Sequence, residues 1–315
     1  MPGKCECRCC CDDLRRAGFG IGYLGTAQAW HRPTQQAIRH PQAESGPRAA
    51  AGAIETGGRI LTAFDRNHFS RFRRQFLTTL RASGNREPLS AVAYGLHPTE
   101  RSALAAAHID VFSRPGNAVS SALRRLRDFQ DVIAGWPEDT PVAYWDAGDV
   151  LFQGSLAPLW DLVRANPDHL LVAREPVGIG ESPVIVPWTN HILDPVVRAE
   201  MRELLATRPF INAGFAAGTV RALMGYLREG DRLLQNELIG VLHWGDQVAM
   251  GHYLHHNPAV WREISDGWNY CIIFRNQSTH RIAPGGRVQS LDGTPVHVVH
   301  GNGRTLEPWV LSFAS

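Results

Sequence analysis

Asp146 and Asp149 stand three residues apart, around Ala147 and Gly148, in the stretch PVAYWDAGDVLFQGSL (141–156). The residues before them form an apolar run rich in β-formers, so both carboxylates fall at the end of what reads as a buried strand. An unpaired buried carboxylate is costly, and a cation or a set of donors must meet it there. On a strict strand, residues three apart face opposite sides. Glycine at 148 permits a turn or bulge that brings the two to one point. Two readings fit the residues. Hard divalent cations such as Mg2+ or Mn2+ take carboxylate oxygens together with substrate phosphates. Alternatively, the two aspartates cap a turn and the helix that follows it.

Other residue types with chemical potential have plainer readings beside them. Asn212-Ala213-Gly214 has the composition of a turn, and Asp246-Gln247 that of a helix start, where acidic residues are favoured. His300 lies in PVHVVHGNG (295–303), a late strand ending in histidine and glycines. His252, His255 and His256 share helical spacing, but a third ligand and the glutamate of an H-E-x-x-H site are missing, so they read as a solvated helix face. Cys271, in WNYCIIF, reads as a buried apolar residue. Gly20, Gly22 and Gly25 fit G-x-G-x-x-G, yet no strand precedes them and Pro33 soon interrupts, so no dinucleotide site is expected.

These candidates need elements to hold them. From Gly58 on, strand-like and helix-like segments alternate: RILTAF (59–64), a helix over 69–83, LSAVAYGL (89–96), a helix over 99–109 capped by Thr99, DVFSR (110–114), an amphipathic helix over 118–136, then the opening strand. A helix (LAPLWDLVRANP), a strand (170–175), a Pro/Gly-rich loop (175–188) and helices near 195–206, up to Glu229 and over 244–256 follow. Such alternation predicts an α/β fold with a mainly parallel sheet covered by helices on both faces. Ligands of such sheets bind beyond the carboxyl ends of the strands, where Asp146 and Asp149 fall.

With 315 residues, 44% of them hydrophobic, and a net charge of +2, the composition is that of an ordinary globular chain. It lacks the basic excess of a dedicated nucleic-acid binder. No run of apolar residues is long enough for a spanning helix. Residues 1–57 show no sustained period, which predicts a loose extension before one domain over 58–315. Five of the 6 cysteines crowd into CECRCCC there, a pattern without partners for a disulfide framework and without paired zinc spacing. The segment AGFGIGYLGTAQA is too short and glycine-heavy for a secretory signal, so a cytoplasmic location is expected.

In order along the chain, Asp146-Ala-Gly-Asp149, Asn212-Ala213-Gly214, Asp246-Gln247, Trp268-Asn269 and HGNGRTLEPW (300–309) resemble the motifs of the GT-A fold nucleotide-sugar glycosyltransferases, most closely glycosyltransferase family eight. The family pattern is D-x-D, N-A-G, D-Q, W-N and H-x-x-G-x-x-K-P-W. The resemblance implies a metal-dependent hexosyltransferase with a Rossmann-like GT-A domain. It would use Mn2+ or Mg2+ and a nucleotide-sugar donor, a UDP-hexose, and retain the anomeric configuration.

Carried over residue by residue, Asp149 and His300 become metal ligands, with Asp146 assisting the metal or the ribose. Asn212, Ala213 and Gly214 line the donor, Gly303 lets backbone approach the diphosphate, and Asp246 and Gln247 stand beside the reacting carbon. The acidic motif here is D-x-x-D, and Glu307 replaces the family's lysine, leaving Arg304 to supply the cation to the diphosphate. If the enzyme inverts, Asp246 is the candidate base, with Asp266 a weaker one. A nucleotidyltransferase of similar fold or a non-catalytic carbohydrate-binding relative are the alternatives. The acceptor is not specified by any residue pattern.

Overall fold

A computed structural model describes residues 57–116, 121–175, 189–190, 192–207, 210–236, 245–272, 279–283 and 286–302. The extension over 1–56, the loop over 176–188, Gly303 and Arg304 lie outside the described residues. Strands and helices alternate through the first half. β1 (Arg59–Asp65) leads into a helical run, α1, made of Phe69–Arg71, a π-spaced Phe72–Leu77 and Thr78–Ala82. β2 (Leu89–Tyr94), α2 (Pro98–Ala106), β3 (Asp110–Arg114), α3 (Ser121–Ile133) and β4 (Pro141–Trp145) follow. Thr99 is not the cap of α2. The helix begins one residue earlier, because Pro98 suits the first helical position and Glu100 Oε2 accepts from His97 N at 2.7 Å.

After β4 come β5 (Val150–Phe152), α4 (Ala157–Ala165), β6 (Leu170–Ala173), α5 (Pro195–Thr207), β7 (Phe215–Thr219), α6 (Val220–Asn236), α7 (Gly245–His256) and β8 (Trp261–Ile264). The short strands β9 (Tyr270–Cys271), β10 (His280–Ile282), β11 (Val288–Ser290) and β12 (Val298–His300) complete the described set.

Seven strands form the main sheet in the order β3-β2-β1-β4-β7-β6-β8. Its pairs are parallel except those of β7, which runs antiparallel to both β4 and β6. Alternate strand residues enter separate cores. Leu61, Val92, Tyr144 and Val172 pack with α3, α5, α6 and α7, while Ile60, Ala91, Trp145 and Leu171 pack with α1, α2 and α4. The sheet is thus buried on both faces, as the near-continuous apolar runs of its strands require.

One departure from regular alternation makes the site. Past Trp145 the chain does not continue along the main sheet. It turns at Asp146–Asp149, and β5 joins a second sheet in the order β5-β12-β9. There Val150 stands opposite His300, and His300 stands opposite Cys271.

Candidate functional site

The register of these two sheets explains why residues distant in sequence meet. Because β7 is antiparallel to β4, with Trp145 opposite Phe215, the residues entering β7 lie beside those leaving β4. Asp146 N accordingly donates to Gly214 O at 2.9 Å. Because β5 pairs with β12, Asp149 lies beside His300, and Gly301 N donates to Asp149 O at 2.8 Å.

The result is a cluster in which one ligand atom each of Asp146, Asp149 and His300 lies within 4.8 Å of the others. His300 is 2% exposed, and its Nε2 stands 3.5 Å from Asp149 Oδ2 and 3.6 Å from Asp146 Oδ2. That nitrogen is buried and makes no hydrogen bond of its own. Two donors each roughly 2.0–2.6 Å from one ion stand at most about 4–5 Å apart, so this spacing fits a shared cation. Burial disfavours the charged imidazolium of His300, but the Asp149 carboxylate outweighs it and holds the ring well above its ordinary pKa. On the far side of the ring, Nδ1 lies 4.0 Å from Cys271 Sγ. The sulfur is buried, as its apolar context predicts, but against this histidine.

Gly214 is required by space. A Cβ there would sit 2.6 Å from His300 Cε1, 2.7 Å from Asn212 Oδ1 and 2.8 Å from Asp146 Oδ2. Gly214→Ala is therefore expected to cost about 1–3 kcal/mol of stability by overpacking and to weaken divalent-cation affinity at least about tenfold. Urea unfolding and a Mn2+ titration measure the two effects.

A buried arginine organises the acids. Arg125, on α3, hydrogen-bonds Asp146 Oδ1 with Nη1 and Asp246 Oδ2 with Nη2, and Nη2 also donates to Ala213 O at 2.8 Å. Burial alone would lower its pKa, but the two aspartates keep the guanidinium firmly charged. Asp246, in the first turn of α7, is pushed upward by burial despite Arg125. Its Oδ1 accepts from Gln247 N at 2.9 Å. Gln247 spends both ends of its side chain on the entry to β7: Oε1 accepts from Ala213 N at 2.8 Å, and Nε2 donates to Ile211 O.

Asn212 is similarly engaged. Its Oδ1 accepts from Gly214 N at 2.8 Å and from Asn269 Nδ2 at 2.9 Å, and its Nδ2 donates to Glu175. Glu175, at the end of the β6 segment, also accepts from Asn302 Nδ2 at 3.0 Å. Burial raises its pKa, against the Asn212 hydrogen bond and the nearby His300. The described residues of all five sequence motifs thus converge on one hydrogen-bonded cluster. Trp268 is 4% exposed and stacked on His297 with ring centroids 4.0 Å apart, so its ring is not open to a ligand face. Asp266 occupies a separate single turn, Asp266–Trp268.

Sequence reasoning missed Arg125, Glu175 and a pair at the end of β1. His68 Nδ1 lies 2.7 Å from Asp65 Oδ1, and the ring stands so close to the Asp146–Asp149 turn that a Cβ on Gly148 would meet His68 Cδ2 at 2.8 Å. That hydrogen bond raises the His68 pKa against burial. Arg125 had a signal: a charge on the stripe of α3 that Leu126, Phe129, Val132 and Ile133 mark as buried.

No protein-family model matches the chain, and no curated protein matches it in sequence. Solved structures similar to it include the galactosyltransferase LgtC in complex with donor and acceptor sugar analogs (TM-score 0.50, 16% identity, 78% of this chain and 87% of that one). The bifunctional glycosyltransferase WbbM in its apo form follows (TM-score 0.50, 16% identity, 82% of this chain and 48% of that one). The apo glycosyltransferase GlyE of Streptococcus pneumoniae TIGR4 is a third (TM-score 0.51, 14% identity, 82% and 61%). The chain spans about half of WbbM and less than two thirds of GlyE. At these identities the likeness establishes the fold: the chain has the GT-A fold that its sequence motifs pointed to.

Proposed function

We propose that the chain is a metal-dependent glycosyltransferase that moves a hexose from a UDP-sugar to an acceptor hydroxyl with retention of configuration. The observation that carries this reading is the meeting of Asp146, Asp149 and the unpartnered Nε2 of His300 at the carboxyl end of β4. In a GT-A fold that edge is where a ligand binds. Two carboxylates and one imidazole form a mixed donor set suited to Mn2+, with Mg2+ as the harder alternative. A divalent cation held there neutralises the charge that develops on a departing diphosphate.

The chain's own residues divide the remaining work. Asp149, just before β5, and His300, on β12, would hold the cation, and Asp146, whose Oδ1 accepts from Arg125, would assist them. Gln247 and Asn212 fix the backbone of Ile211–Gly214, which stands as the floor for the donor sugar. Both oxygens of Asp246 are engaged, by Arg125 and by Gln247 N, which favours a positioning role over that of a general base in an inverting reaction. Gly303 and Arg304 are proposed to meet the diphosphate. The acceptor oxygen bonds to the anomeric carbon on the face from which the diphosphate departs, the carbon–diphosphate oxygen bond breaks, and the hydroxyl proton passes to the departing diphosphate.

The test is a panel of nucleotide sugars with Mn2+, followed by release of nucleoside diphosphate. One UDP-hexose is expected to give release that a chelator abolishes. Release from no member of the panel, or release indifferent to the chelator, would reject the assignment.

A pH experiment addresses the ion directly. His300 holds its proton more tightly in the folded, metal-free chain than when unfolded, so its contribution to stability is full below the ordinary imidazole pKa. That contribution is lost as pH rises through the raised value. A cation must displace the proton, so Mn2+ affinity is expected to rise with pH, by up to about tenfold per pH unit below that value. Calorimetry in two buffers of different ionisation enthalpy reads the released proton. Affinity independent of pH would count against His300 as a ligand.

A further inference from the structure

His252 and His256, one turn apart on α7, lack a third ligand only along the sequence. The fold brings Glu200 of α5 to them, and one ligand atom of each residue lies within 4.8 Å of the others. His256 Nδ1 stands 2.9 Å from His252 O, and facing a carbonyl it must donate. That fixes the tautomer and presents Nε2 to Glu200 Oε1 at 2.7 Å. Metal-bound histidines are commonly oriented by just such a bond from the other ring nitrogen. The two imidazoles lie side by side, ring centroids 4.1 Å apart. Glu229 of α6 adds a further carboxylate whose field reaches His252, although its own oxygens are engaged by Arg232.

We propose that Glu200, His252 and His256 form a second metal site, of the Zn2+ class, that clips α5 to α7. Two imidazoles and one carboxylate favour a borderline ion such as Zn2+ over the hard ions suited to the Asp149 site. The side chains of His256 and Glu200 are 40% and 42% exposed, so water can complete the coordination sphere. The ion would be shared by His256 Nε2 and Glu200 Oε1, two acceptor atoms that this tautomer sets 2.7 Å apart. It supplies no chemistry to the reaction. It fixes the far end of the helix that begins with Asp246 and Gln247, and so steadies the hydrogen bonds those residues make to Arg125 and the β7 entry.

The test is calorimetric titration of the full chain with ZnCl2, after its accessible thiols have been alkylated with iodoacetamide to keep Cys5–Cys11 from competing. Wild type is expected to take up two equivalents. His300→Ala should retain one, and His252→Ala/His256→Ala should retain the other. Glu200→Gln should weaken the second site at least about tenfold without changing the melting temperature in a chelator. Millimolar Mg2+ should not displace Zn2+ from the site that His300→Ala retains. Full uptake by the double histidine variant, unchanged affinity in Glu200→Gln, or a single wild-type equivalent that His300→Ala removes would each overturn the proposal. Because the reading is binding and not turnover, its failure leaves the glycosyltransferase assignment untouched.

Discussion

Asp149→Asn is expected to leave the secondary structure intact and to lower nucleoside diphosphate release by roughly 10²–10³-fold or more. The substitution keeps the shape of the side chain and the backbone bond from Gly301 N to Asp149 O. It removes a negative charge 3.5 Å from His300 Nε2, where that charge and the imidazole would together grip the ion. An asparagine oxygen binds a hard cation more weakly, and its amide cannot help balance the ion's charge. Mn2+ affinity should fall in parallel with the rate, which separates loss of the ion from damage elsewhere. His300→Ala should reproduce both losses. Release equal to wild type in either variant would remove the metal from the mechanism.

Arg125→Met carries the largest expected cost in stability, about 3–5 kcal/mol in urea unfolding. Arg125 is buried on α3 between Asp146 and Asp246, and its charge is balanced by those two carboxylates. Without it, Asp246 becomes a buried carboxylate facing another acid, supported by backbone amides such as that of Gln247. Arg125→Lys should recover less than half of the loss. An ammonium cannot span both acids and the Ala213 carbonyl as a planar fork does. Coupling provides the sharper measurement. Asp246→Asn in the Arg125→Met background should be less harmful than in wild type by about 1 kcal/mol or more. Additive effects, or a single-variant loss below about 1 kcal/mol, would show that the arginine does not hold the acids together.

The first half of the fold was legible because each element there is long enough to display its period. Ile60 to Phe64 and Leu89 to Tyr94 read as apolar strands, and α3 shows its apolar stripe without interruption except at Arg125 and Asp128. β9 spans two residues and β5, β10, β11 and β12 span three each, too few to show any alternation. The antiparallel direction of β7 was equally invisible, since FAAGT reads the same whichever way it pairs. Of the site, the residues with chemical side chains at element ends stood out: Asp146, Asp149, Asp246 and His300. Their supports did not. Arg125 hides inside a helix, and Glu175 becomes important only because Asn212 and Asn302 fold onto it.

The pairing of β5 with β12 has a consequence for the order of events during folding. Val150 and His300 face one another across half the chain, so the central sheet can assemble while the cation-gripping end is still unfinished. Contacts of such sequence separation close late, because chain entropy opposes them until most other structure exists. A nascent polypeptide that has released Asp146 and Asp149 from the ribosome therefore carries an unfinished chelator, and ripens only when the strand ending in His300 arrives.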